Sequence, residues 1–153
     1  MYSATFEEVA VTTSQDLFQV EVTSVNHAVL IHSISISQSS DVVDELIAIF
    51  YRVDFAFGIG TGTTLTPAPL QVGDPAFSGN VYSNASKGSG EEANAGWTQF
   101  NILQGYYKVF APNERFLIPT WSGAGETYAF LVTLLTAPAD SLTMSGTIVF
   151  EEI

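Results

Sequence analysis

Residues 33–41 read SISISQSSD, and their alternation decides the fold. Successive side chains of an extended chain point to opposite faces, so Ile34 and Ile36 fall on one side and Ser33, Ser35 and Ser37 on the other. One face of this strand is apolar and the other carries only small hydroxyls. The same period of two recurs outward from it. Upstream, Phe18, Val20 and Val22 alternate with Gln19, Glu21 and Thr23, and Leu30 and His32 extend the face of Ile34 and Ile36. Downstream, Ile47, Ile49, Tyr51, Val53, Phe55 and Phe57 form an apolar stripe backed by Arg52 and Asp54. Near the end, Leu142, Met144, Gly146, Ile148 and Phe150 alternate with Thr143, Ser145, Thr147, Val149 and Glu151. Shorter strands are expected over 3–11, 97–103, 105–111 and 115–121, and ETYAFLVTLLT (126–136) reads as a strand buried on both faces. β-Branched and aromatic residues fill these runs, and TTSQD, QSSD, APNE, SGAGE and APAD punctuate them. The pattern predicts an all-β chain, an antiparallel β-sandwich of jelly-roll kind, forming a single domain over 1–153.

Residues 58–96 interrupt the pattern. They hold eight glycines, Pro67, Pro69 and Pro75, and little periodicity. A stretch this long without secondary structure is uncommon inside a compact domain and is usually functional. It is expected to be a long glycine-rich loop, an arm whose Leu65, Leu70, Val72, Phe77, Val81 and Tyr82 pack on something outside it.

Charge narrows the partners. Sixteen acids face four bases (Arg52, Lys87, Lys108 and Arg115), giving a formal net charge of −12. Such a chain repels phosphate backbones and anionic lipid, so no direct nucleic-acid or membrane partner is expected. Only 13% of the residues are charged, against roughly 25% in an ordinary soluble domain. The remaining polarity is largely Ser, Thr, Asn and Gln, which suits a contact surface. The runs LIAIFY and AFLVTLL fall short of the ~20 residues that span a bilayer. MYSATFEEVAV has no basic stretch before an apolar core, and it is not expected to act as a signal peptide.

Chemistry is sparse along the chain. With no cysteine, disulfides, thiolate metal sites and thiol nucleophiles are excluded. GIGTGT (58–63) lacks the lysine and following helix of a phosphate-binding loop. His27 and His32 would point to opposite faces of one strand and cannot chelate together, and His32 is expected to be a satisfied, half-buried residue. Neighbouring acids at Glu7–Glu8 and Glu151–Glu152 are likewise expected on opposite faces. Asp41, Asp44 and Glu45 share a turn that could hold a hard cation, but lack the spacing of a calcium loop and are expected to be solvated. No catalytic residue, cofactor or metal ligand is assigned, no enzyme is expected, and nothing selects the carboxylate pair a glycosidase would need. Trp97, Phe100, Tyr106, Tyr107, Phe110, Phe116, Trp121 and Tyr128 could stack sugars, but are expected in the core or an interface because each buries a large area.

TFEEVAVTTSQDLFQV at the start, HSISISQSSDVVDE next, a glycine-rich excursion with TPAPL, and TAPADSLTMSGTIVFEEI at the end resemble a group of small virion proteins of tailed bacteriophages. The resemblance covers the start, the 30–45 region and the last twenty residues. It implies a jelly-roll capsid cement or decoration protein. Such a protein is commonly trimeric, is made in the host cytoplasm, and sits on the capsid surface between major capsid subunits. With it, Ser33, Ser35 and Ser37 become expected interface residues, together with Leu65, Pro67, Leu70, Phe77 and Tyr82. The alternative is a carbohydrate-binding or adhesion module on a virion or tail.

Overall fold

The computed structural model describes residues 1–39, 45–54, 62–86, 92–120 and 128–153, among which no helix occurs. In chain order the strands are β1 (Tyr2–Val11), β2 (Gln15–Val22), β3 (Val29–Gln38), β4 (Leu46–Asp54), β5 (Thr63–Leu65), β6 (Ala68–Pro69), β7 (Asn80–Ser83), β8 (Ala85–Ser86), β9 (Glu92–Asn101), β10 (Tyr106–Val109), β11 (Leu117–Ile118), β12 (Tyr128–Leu134) and β13 (Leu142–Glu152). One sheet runs β10-β3-β13-β1-β6, with β11 also on β3; the other runs β5-β7-β2-β12-β4-β9, with β8 also on β2. The pairings are antiparallel. The two sheets pack face to face as a β-sandwich.

The core lies between the inner faces. Ile31, Ile34, Ile36, Met144, Ile148 and Phe150 of the first sheet meet Phe18, Val20, Ile49, Phe130 and Val132 of the second, all fully buried. Each such side chain contributes about 1.5–3 kcal/mol relative to remaining in water. β13 follows the alternation read from its sequence, with every second residue from Leu142 to Phe150 buried. β12, central in its sheet, is buried on both faces, as its unbroken apolar run implies. Tyr51 joins Phe110, Phe116 and Phe130 in a ring cluster, and Tyr2, Phe77 and Phe150 form a second.

Two expectations change. Leu30 and His32 do not extend the face of Ile34. β13 residues Val149 and Phe150 pair with Ser33 and Ile31, leaving His32 as an extra residue. This bulge moves the inward positions to Val29 and Ile31.

The expected arm over 58–96 is also replaced, within 62–86, by strands that belong to the sandwich. β5 and β7 extend the second sheet, β8 pairs with β2, and β6 pairs with β1. Val81 and Ala85 are fully buried. Strands of two to four residues are too short to show an alternation. Two glycines there serve close approach: a Cβ on Gly62 would come 2.4 Å from the Ser83 carbonyl oxygen, and one on Gly79 2.2 Å from that of Glu21. Residues 58–61 and 87–91 lie outside the described residues.

Candidate functional site: the outer face of the first sheet

The register of four strands assembles a hydroxyl grid on the outer face of the first sheet. Tyr107 of β10 stands opposite Ser35 of β3, Ser35 opposite Thr147 of β13, and Thr147 opposite Thr5 of β1. On one side of this row lies Val109–Ser33–Val149–Ser3, and on the other the Ser37–Ser145 pair. The serine side of β3 therefore faces away from the core, as its alternation requires. Thr5 and Thr147 share a hydrogen bond of 3.0 Å, and the Ser39 hydroxyl donates to the Thr143 carbonyl at 3.3 Å.

A bulge in β1 closes one end of the grid. Phe6 pairs with Gly146 and Val9 with Met144, so Glu7 and Glu8 together oppose Ser145. Glu8 takes a left-handed conformation (φ 52°), and its amide donates to the Ser145 hydroxyl at 3.0 Å. Both glutamates then line one open groove of about 350 Å³ with Thr5, Ser37, Ser145 and Thr147. This corrects the expectation that Glu7 and Glu8 point to opposite faces, which holds only for a regular strand. The sequence carries a signal of the bulge: the apolar phase changes from even (Tyr2, Ala4, Phe6) to odd (Val9, Val11) across the two acids. The groove is lined by no lysine or arginine, so it has acidic character at one end and hydroxyls elsewhere.

The other expected interface residues do not join this face. Leu65 and Phe77 pack against the protein's own core, Phe77 with its ring 4.8 Å from that of Phe150. Tyr82 pairs with Gln19 in the second sheet. Pro67 and Leu70 flank β6, with Leu70 exposed. Only Ser33, Ser35 and Ser37 of that set share one surface.

Phe110 is buried, and Phe100, Tyr106, Phe116 and Tyr128 pack against the core. Tyr51 and Tyr106 share a hydrogen bond between their hydroxyls, and burial, then that bond, pushes the Tyr51 phenol far above its ordinary range. Trp97 does not join the core: it is 63% exposed on β9, an end strand whose inner positions are Gly96, Thr98 and Phe100. Tyr107 is 73% exposed. Trp121 lies outside the described residues.

Both histidines pair with C-terminal glutamates, His27 with Glu152 at 3.3 Å and the half-buried His32 with Glu151 at 3.1 Å. Glu45 accepts the Ala139 amide at 2.8 Å, while Asp41 and Asp44 lie outside the described residues. Among the described residues no group of three His, Asp or Glu side chains could hold a metal ion. On the second sheet, Asp16, Arg52 and Thr133 are buried together. Thr133 donates to Asp16 at 2.5 Å and accepts from Arg52 at 3.2 Å. Sequence reading overlooked this cluster because its members lie on three separate strands. No known protein family, curated protein or solved structure matches the chain.

Proposed function

We propose that the chain is a structural subunit of a tailed-phage virion, a decoration protein lying on the head with the outer face of its first sheet against the major capsid protein. The observation that carries this reading is the row Tyr107–Ser35–Thr147–Thr5, which crosses four strands without a charge. Hydroxyls both donate and accept, so they can satisfy polar groups of a neighbour in many orientations. They are short, so fixing them costs little rotamer entropy, and no buried charge has to be desolvated. Glu7 and Glu8 at one end add an acidic edge suited to a basic spot on the shell. Strand order supports the jelly-roll form of the fold. Counting the eight principal strands β1, β2, β3, β4, β9, β10, β12 and β13, one sheet runs first, eighth, third, sixth, and the other second, seventh, fourth, fifth. This is the connectivity of two Greek keys wound together.

The test is addition of the purified protein to expanded phage heads lacking it. Parent protein should cosediment with the heads, and Thr147→Arg, folded by circular dichroism, should not. Equal cosedimentation of the two would remove this face from the contact, and no binding by the parent would remove the shell reading.

The exposed Tyr107 beside the hydroxyl row favours a second reading, a carbohydrate-binding module in which that ring stacks a sugar. Retention of the parent on a glycan array, lost in Tyr107→Ala, would select it over the first.

A further inference from the structure

The ends of the two sheets are not equally protected. β5, β6 and β10 are short, of two to four residues, and β6 ends in a proline. β1 is long, and past Ser3 its outer edge has no described strand partner, but it carries the Glu7–Glu8 bulge. Short strands, proline, charge and bulges are the devices by which proteins blunt a sheet edge. β9 differs from all of these. It runs ten residues, pairs with β4 on one side, and has no described strand on the other. From Ala93 to Asn101 it holds no charge and no proline. Its bulge falls at Ala95, since Tyr51 pairs with Gly96 and Arg52 with Asn94, leaving Gly96–Asn101 as a regular stretch. Trp97 stands exposed on its outer face, and Leu103 past its end and Leu46 opposite Asn101 are exposed too.

From this contrast we infer that the β9 edge is a self-association seam, at which Trp97–Asn101 pairs antiparallel with the same stretch of a second copy, centred on Gln99. Charge selects where two copies can meet. Two chains of net charge −12 repel wherever acids meet, and β9 offers a long backbone ladder free of acids from Ala93 onward. An antiparallel strand meeting its own copy is self-complementary about a two-fold axis. Backbone N–H and C=O groups supply the hydrogen bonds, and the two Trp97 rings lie on one continuous outer face. The trimer that the resemblance implies requires a different, head-to-tail contact, so the two arrangements are separable by mass.

Light scattering on the full chain, over a wide concentration range, should give a dimer of the 16.4 kDa subunit. Hydrogen exchange should find the alternate amides of 97–100 that point away from β4 protected in that dimer. Gln99→Lys brings two ammonium groups together near the axis and should weaken dimerisation by at least about tenfold, with the circular dichroism unchanged. The chain has no cysteine, so Gln99→Cys should cross-link to a covalent dimer on mild oxidation. A monomer at every concentration, an oligomer indifferent to Gln99→Lys, or a trimer in which the outward amides of 97–100 exchange freely would overturn the seam. The seam does not rest on the shell reading: Gln99→Lys tests the one and Thr147→Arg the other.

Discussion

The hydroxyl oxygens of Thr5 and Thr147 stand 3.0 Å apart, joining the first full strand of the sandwich to the last. The bond lies in an open groove, where water can replace either partner, so its net worth is at the low end of the usual ~0.5–1.5 kcal/mol. Thr147→Val should therefore lower stability in urea unfolding by under ~1 kcal/mol, and Thr147→Ser by under ~0.5 kcal/mol. A loss of several kcal/mol from either would mean that the hydroxyl row holds the fold together, and its value as a free contact face would fall.

Gly79 tests whether the 62–86 segment is built into the sandwich. A Cβ there would meet the Glu21 carbonyl oxygen at 2.2 Å and the Phe77 ring at 2.6 Å, and neither can retreat without shifting β2 or the ring packed on Phe150. Gly79→Ala should cost about 1–3 kcal/mol, the usual range for overpacking. The amide of Val81 should be protected from exchange in the isolated subunit. A neutral substitution together with free exchange at Val81 would restore the picture of an independent arm.

Alkali should destabilise the protein through Tyr51. Its phenol is raised above the ordinary 10.0 because the ring is buried and its hydroxyl is bonded to Tyr106. The folded state thus retains a proton that the unfolded chain loses above pH ~10. Fewer protons on the unfolded state make stability fall with pH, by up to about 1.4 kcal/mol per unit for one such group. The contribution is fully present below pH 10 and declines above it. Chemical denaturation between pH 8 and 11.5 should show this decline, and Tyr51→Phe should make it shallower, the remainder coming from Tyr2 and Tyr82, whose phenols are also raised by burial. An identical slope in parent and variant would mean that Tyr51 ionises freely in the folded protein.

Sequence showed most where strands are long and regular. β13 and β12 follow their patterns residue by residue, and the serine face of β3 lies where the alternation puts it. What it hid were single-residue insertions. Bulges at Glu7–Glu8 in β1 and at His32 in β3 shift the phase by one, so a face assigned by counting in twos is inverted beyond them. The cost was largest at the groove, where the two glutamates came to the same side as the hydroxyls. Short strands such as β6 and β8 gave no pattern to read, and glycines needed for close approach resembled those of a loose loop. Which strands become neighbours was equally hidden. Tyr107, Ser35, Thr147 and Thr5 span over a hundred residues of sequence, and only the register aligns them.

The same scattered origin marks the buried trio of Asp16, Thr133 and Arg52. Asp16 and Arg52 are 1% and 3% exposed, with the guanidinium 3.8 Å from the carboxylate and the Thr133 hydroxyl bonded to both. A buried pair gains little over an apolar replacement of both partners, because each charge had to leave water, but removing one partner typically costs about 3–5 kcal/mol. Arg52→Met should accordingly destabilise the protein by about that amount in urea unfolding. Adding Asp16→Leu to Arg52→Met removes the buried carboxylate that faced the guanidinium, and the double variant should be more stable than Arg52→Met alone. Arg52→Lys keeps the charge but not the guanidinium fork, and should fall between the parent and Arg52→Met. If Asp16→Leu instead adds a further full loss on top of Arg52→Met, the two side chains are energetically independent, and their closeness in the second sheet carries no coupling.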